Sequence, residues 1–186
     1  MTDLDLALFH AINGLAQRSS IADEAMLMLA HTSTLYLPGL VVLAYALWRD
    51  WRKALILVAT LAALFILGDM LGAQLKYVFA RVRPCHVVSD VHALVSCGAT
   101  YSFPSNHALN MAAAATLAQV LFPFTGWFMW PIVVLAGLVR VYMGAHYVSD
   151  VVGGWVIGAA LGLSAAWLLR RWFWHPRKRS VDLARL

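Results

Sequence analysis

The chain has 186 residues, of which 62% are hydrophobic and 12% charged, with a mean hydropathy of +0.73. A soluble domain of this size cannot bury so much apolar surface, and disorder requires the opposite composition. The net charge of +5 therefore reads as loop charge beside anionic lipid rather than as a nucleic-acid footprint, and the class is an all-α, polytopic membrane protein.

The first residues, MTDLDLALFH, are acidic and lack the basic start of a cleavable signal peptide, so the first span is expected to direct insertion. Leu4, Leu8, Ala11, Ile12 and Leu15 follow a helical period, with Asp3, Asp5 and Asn13 off that face. Two readings fit: an amphipathic helix lying in the membrane interface, or an ordinary packed helix. Asn13-Gly14 is placed to end it.

About five membrane spans follow, each near the length that a bilayer requires. They cover roughly 25–48, 54–75, 105–122, 127–143 and 148–169. The chain reads as one domain, residues 1–186, without repeats. Arg49, Arg52 and Lys53 lie between the first two spans; Arg170, Arg171, Arg177, Lys178, Arg179 and Arg185 lie in the tail, 170–186. The positive-inside rule puts both segments in the cytoplasm. The loop from Tyr77 to Pro104 and the turn from Arg140 to Asp150 then lie on the outer face.

Those outer segments and their flanks hold most of the remaining polar residues: Lys76, Arg83 and Pro84 in KYVFARVRP, Pro104 to His107 in YSFPSNH, and Arg140, His146 and Asp150 in RVYMGAHYVSD. Each has a plain structural reading. Lys76 and Arg83 serve as snorkelling anchors, Ser105 as a helix cap beside an interfacial His107, and His146 and Asp150 as a structural pair. Together they supply three cations, a helix N-terminus, two histidines and a carboxylate on one membrane face. That set suits phosphoryl transfer: cations neutralise the phosphoryl oxygens, one histidine attacks and the other protonates the leaving group.

At this point the sequence resembles the type-2 phosphatidic acid phosphatase superfamily of membrane lipid phosphatases. Its first motif, Lys, six residues and Arg-Pro, is matched by Lys76, Arg83 and Pro84. Its second, Pro-Ser-Gly-His, is matched by Pro104, Ser105 and His107, with Asn106 in the Gly place. Its third, Ser-Arg, five residues, His, three residues and Asp, is matched by Arg140, His146 and Asp150, with Val139 in the Ser place.

The resemblance implies His146 as a nucleophile that forms a phosphohistidine, Asp150 as its orienting carboxylate and His107 as general acid. Lys76, Arg83, Arg140, Ser105 and Asn106 would bind the phosphate, with no cofactor and no metal. The implied substrate is a lipid phosphate or pyrophosphate in the bacterial inner membrane, reached from the periplasmic side. Undecaprenyl pyrophosphate leads; phosphatidylglycerophosphate, phosphatidic acid and lipid A 1-phosphate are alternatives. A non-catalytic lipid-binding or transport module is the alternative class. Membrane lipids are the expected partners, and no nucleic acid is.

Cys85 and Cys97 share the outer loop and suit a disulfide in an oxidising compartment. Their spacing with His86 and His92 fits no common zinc pattern. Asp69, inside the second span, reads as structural. Arg81, outside the motif, reads either as a contact to a second phosphate or headgroup or as a solvated loop residue.

Overall fold

The computed structural model describes residues 2–30 and 36–172. His31 and the tail beyond Trp172, with its four further basic residues, lie outside that description. Eight α-helices are described: α1 (Asp3–Asn13), α2 (Ser20–Ala30), α3 (Tyr36–Arg49), α4 (Trp51–Phe79), α5 (Pro84–Val87), α6 (Asn106–Leu121), α7 (Gly126–Tyr142) and α8 (Val148–Trp172). A 3-10 turn, Pro123–Thr125, leads into α7.

Three segments are long and apolar enough to cross a membrane: Trp51–Phe79, Pro123–Tyr142 and Val148–Trp172. They carry large apolar side chains on the outside, including Phe65, Ile66, Leu135, Val156, Leu163 and Trp167. In a membrane these face acyl chains, so their exposure is not a defect. The region expected as one span, 25–48, contains two helices, α2 and α3, and the apolar part of α3 is short. The expected third span is α6, with 16 residues. It is wrapped by α4, α7 and α8, and most of its side chains are buried.

The seam between α6 and α8 is set by small residues. Gly154, Gly158 and Gly162 recur every fourth residue, so they share one face of α8. A Cβ at these positions would lie 2.7 Å from the Ser105 carbonyl oxygen, 2.0 Å from that of Leu109 and 2.5 Å from that of Ala113. Backbone thus meets backbone, as in other small-residue membrane seams. This contact sets the height of the α6 N-terminus against the α8 N-terminus, where two of the three motifs lie.

The helix directions separate charge by membrane face. α4 begins beside Arg49, Arg52 and Lys53 and ends near Lys76. α8 begins near Asp150 and ends at Arg170 and Arg171. Ala54 and Leu57 of α4 share a buried cluster with Ala166 and Leu169 of α8. The described basic residues of the loop and of the tail's first turn therefore gather at the end of the bundle opposite the motifs. A helix the length of α8 spans about 37 Å, enough to put its two ends on opposite faces.

α1 turns its amphipathic pattern outside in. Asp5, Phe9 and Asn13 are buried, whereas Leu4, Leu8 and Leu15 are exposed. The polar edge packs on the protein and the leucine edge faces outward, as suits a helix at a lipid interface. The helix ends at Asn13, as expected from Asn13-Gly14. Asn13 Nδ2 donates to the His92 and Tyr142 carbonyls at 2.9 and 2.8 Å, and His92 N–H donates to Asn13 Oδ1 at 2.9 Å.

Candidate active site

Lys76 and Arg83 reach the site from different local structures. Had the helix continued, both would lie on one face, but α4 stops at Phe79. Ala80 caps it in the left-handed region, φ 44, donating its N–H to the Lys76 carbonyl. Arg83 precedes Pro84 and is extended, φ −65 and ψ 150, the conformation a following proline favours. The turn lets Arg83 fold back over the site. Its Nε donates to the Tyr101 carbonyl at 3.3 Å and its Nη1 to the Ala145 carbonyl at 3.4 Å. Lys76 Nζ donates to the carbonyls of Pro104 and of Ser102, the latter at 3.4 Å.

The second motif opens α6. Ser105 is the N-cap, fully buried, and its Oγ accepts the Ala108 N–H at 3.5 Å. Asn106 and His107 occupy the first turn, whose N–H groups have no partner within the helix and carry the positive end of its dipole. The Asn106 amide is bonded to Asp69. Its Nδ2 donates to Asp69 Oδ1 at 3.2 Å, and Asn110 Nδ2 joins the same oxygen at 2.9 Å. Asp69 is thus tied to α6, in keeping with its structural reading.

The third motif spans the α7–α8 turn. His146 lies in the turn, and Asp150 lies in the first turn of α8. Gly144, φ +79, provides the left-handed step that brings the chain around. Asp150 is fully buried and His146 is 6% exposed. His146 Nδ1 faces Asp150 Oδ2 at 3.6 Å, and Nε2 faces Arg83 Nη1 at 3.5 Å. Asp150 Oδ2 also accepts the Tyr147 N–H at 2.8 Å, which fixes the carboxylate before the imidazole meets it. Burial lowers the His146 pKa to about 4, helped by the Arg83 and Lys76 charges and opposed by Asp150. At neutral pH the ring is uncharged and keeps a lone pair.

The segments meet. The Ser105 N–H donates to the Asp150 carbonyl at 3.0 Å, joining second motif to third. His107 lies within electrostatic reach of Arg140 and His146, and Lys76 within reach of Arg83 and Asp150. Arg140 Nη2 donates to the Ala30 carbonyl at 3.4 Å. Its Nε, and Nδ1 of His146, are buried without a hydrogen-bond partner among the described residues. A buried guanidinium donor left open, with Arg83 within electrostatic reach, suits an anion.

Cys85 and Cys97 are joined by a disulfide, with 6.0 Å between their Cα atoms. The His86 donor lies within 4.8 Å of both sulfurs, but a disulfide sulfur is not the thiolate that zinc binds. His92 is engaged elsewhere, its Nδ1 lying 2.9 Å from the Ala16 carbonyl. Arg81 is no solvated loop residue: it bonds Ser149, Asp150 and Asp5.

Known proteins share this sequence and fold. An undecaprenyl-diphosphatase of Sulfolobus acidocaldarius is 36% identical over 101 residues, 54% of this chain and 49% of the relative, so the match spans about half of that protein. An undecaprenyl-diphosphatase, BcrC, of Bacillus subtilis is 25% identical over 162 residues, 86% of this chain and 81% of the relative. The crystal structure of a transmembrane PAP2-type phosphatidylglycerolphosphate phosphatase from Bacillus subtilis superposes with a TM-score of 0.68 at 25% identity. That match covers 96% of this chain and 90% of the other. The PAP2 superfamily profile matches residues 53–174, which include all three motifs, and the chain belongs to the PAP2 superfamily.

Proposed function

We propose that this protein hydrolyses undecaprenyl pyrophosphate to undecaprenyl phosphate and inorganic phosphate, at the outer face of the bacterial inner membrane, through a phosphohistidine on His146. Its family and its membrane-spanning helices make it a PAP2-type membrane lipid phosphatase; substrate, sidedness and intermediate are the proposal. The observation that carries it is the buried His146 ring, with Nε2 beside Arg83 and Nδ1 toward Asp150.

Nε2 attacks the terminal phosphorus, and the bond from that phosphorus to the bridging oxygen breaks. Lys76, Arg83 and Arg140 hold the phosphoryl oxygens with Ser105 and the first-turn N–H groups of α6, and neutralise the charge that develops. Asp150 stabilises the imidazolium that forms, as a triad carboxylate does. His107 gives its proton to the departing lipid phosphate. It then takes one from water, which attacks the phosphorus and breaks the P–N bond, releasing phosphate. Asn106 contributes through its backbone N–H, because its amide is committed to Asp69.

Two relatives named as undecaprenyl-diphosphatases favour the prenyl pyrophosphate. The solved phosphatidylglycerolphosphate phosphatase supports a second reading, a glycerophospholipid monoester. The basic residues at the opposite end of the bundle support an extracytoplasmic site, as does the disulfide in the site's own loop.

The test is phosphate release from undecaprenyl pyrophosphate and, separately, from phosphatidylglycerophosphate, in detergent with EDTA, for wild type and His146→Ala. Release from the pyrophosphate that survives EDTA and is lost in the variant is expected. Release from the glycerophosphate alone would replace the substrate, and an active His146→Ala would overturn the nucleophile.

A further inference from the structure

The carboxylate behind His146 is itself held by a chain of contacts that begins in the N-terminal helix, outside the 53–174 match to the superfamily. Arg81 Nη1 donates to Asp150 Oδ1 and to Ser149 Oγ, each at 2.6 Å. Its Nη2 donates to Asp5 Oδ2. Asp5 Oδ2 also accepts the Ser149 hydroxyl at 2.6 Å, and Asp5 Oδ1 accepts the Ser149 N–H at 3.0 Å. Asp5 thus caps the first turn of α8 from another helix, a role usually filled by the residue preceding a helix.

The charges explain the arrangement. Asp150 and Asp5 are buried carboxylates, their side chains 0% and 8% exposed, and Arg81 lies between them at 21%. One planar guanidinium serves both, a geometry that an ammonium cannot reproduce. The Arg81 Cζ also lies 4.1 Å from the Tyr147 ring centre, and that ring packs on Phe9 of α1 at 5.6 Å. Burial raises the Asp5 carboxyl, and its bonds to Ser149 and Arg81 outweigh this, holding it below the usual carboxylate range.

We propose that Asp5 and Arg81 are positioning residues for the reaction: they fix the Asp150 carboxylate against His146, and they make α1 a working part of the active site. Neither reaches the ring itself. Asp150 spends Oδ1 on Arg81 and Oδ2 on Tyr147 N–H, so its plane is set from both sides. Without Arg81, a fully buried carboxylate loses the guanidinium bonded to it and stands near a second carboxylate. The proposal rests on His146 and Asp150 acting as described above.

The experiment compares wild type with Asp5→Asn, Arg81→Lys and Arg81→Ala, purified in detergent, with His146→Ala in the same assay. The asparagine keeps the size of the side chain and one oxygen to accept the Ser149 N–H, and it removes the charged oxygen that accepts Arg81 and the Ser149 hydroxyl, so it tests position with little risk to folding. Initial rates give kcat and KM, and competition by inorganic phosphate reports the cation cradle separately. The expected result is a kcat lower by about tenfold in Asp5→Asn and about 100-fold in Arg81→Ala, with Arg81→Lys between them and with KM and phosphate inhibition within about threefold of wild type. A merely structural loss would weaken phosphate inhibition together with kcat, and that result would overturn the proposal. Asp5→Asn and Arg81→Lys at wild-type kcat would do the same while His146→Ala is dead. An active His146→Ala would instead remove the catalytic reading on which the proposal stands.

Discussion

Arg83 Nη1 lies 3.5 Å from His146 Nε2, on the side of the ring away from Asp150. This gives the imidazole a direction. In the reaction proposed above, a phosphoryl group taken up by Nε2 would land against a guanidinium already fixed by the carbonyls of Tyr101 and Ala145. The electrostatic stabilisation would then be preorganised, with little reorganisation needed at the moment of reaction.

Arg83→Lys keeps the charge but loses the fork that spans two carbonyls and the ring. The expected outcome is a kcat reduced by about 100-fold, as for loss of one oriented donor at a developing charge. Steady-state phosphate release in detergent measures it. A kcat near wild type would mean that only the charge of Arg83 matters and not its geometry.

The buried His146 links stability to pH. Its folded pKa is about 4, lowered chiefly by burial, against roughly 6.5 in an unfolded chain. Between these values the unfolded state binds a proton that the folded state refuses. Stability is therefore complete above about pH 6.5 and falls as pH drops toward 4, by at most about 3 kcal/mol from this one group. Thermal unfolding in micelles between pH 4 and 7 should show that slope in wild type and a shallower one in His146→Ala. Equal slopes would place the loss of acid stability elsewhere.

The motifs were legible in the sequence because each is local. Lys76 to Arg83, Ser105 to His107 and Arg140 to Asp150 have fixed internal spacings, and each sits on one turn or helix end. The link from Asp5 to Arg81 was not legible, because 76 residues separate the partners and the polar edge of α1 reads as its solvent side until the helix is placed. Leu4 and Leu8 share one face by their spacing, but only packing reveals that this face looks outward. The division of 25–48 into α2 and α3 is also invisible to hydropathy, which runs on through both. The glycines of α8 carried a readable four-residue period, and composition alone hid it among other small residues.

That period leads to a packing prediction. A methyl at Gly158 would meet the Leu109 carbonyl oxygen at 2.0 Å, a backbone atom that cannot rotate away. Gly158→Ala must therefore separate α6 from α8, at a cost of about 2 kcal/mol or more, and the separation would move His107 away from Asp150. Gly39→Ala is the matched control, since a Cβ there has no heavy atom within 4 Å and alanine improves helix propensity. Thermal unfolding and phosphate release measured together should fall for the first variant and hold for the second. A stable, active Gly158→Ala would rule out the close seam.

Asn106 stands where the superfamily motif has glycine, and Gly72 of α4 makes room for it. A Cβ at Gly72 would lie 2.3 Å from Asn106 Oδ1, so Gly72→Ala pushes the amide off Asp69. The cost is expected to be roughly 1–3 kcal/mol, from one strained contact and one weakened hydrogen bond. Asn106→Gly alone removes the same bond without a clash and should cost about 1 kcal/mol or less. In the double variant the new methyl meets no amide, so the two costs should not add, and the coupling should reach about 1 kcal/mol. Unfolding of the two single variants and the double variant in one detergent closes this cycle. Additive losses would mean that Gly72 and Asn106 are independent, and that the asparagine is accommodated by some other movement of α4.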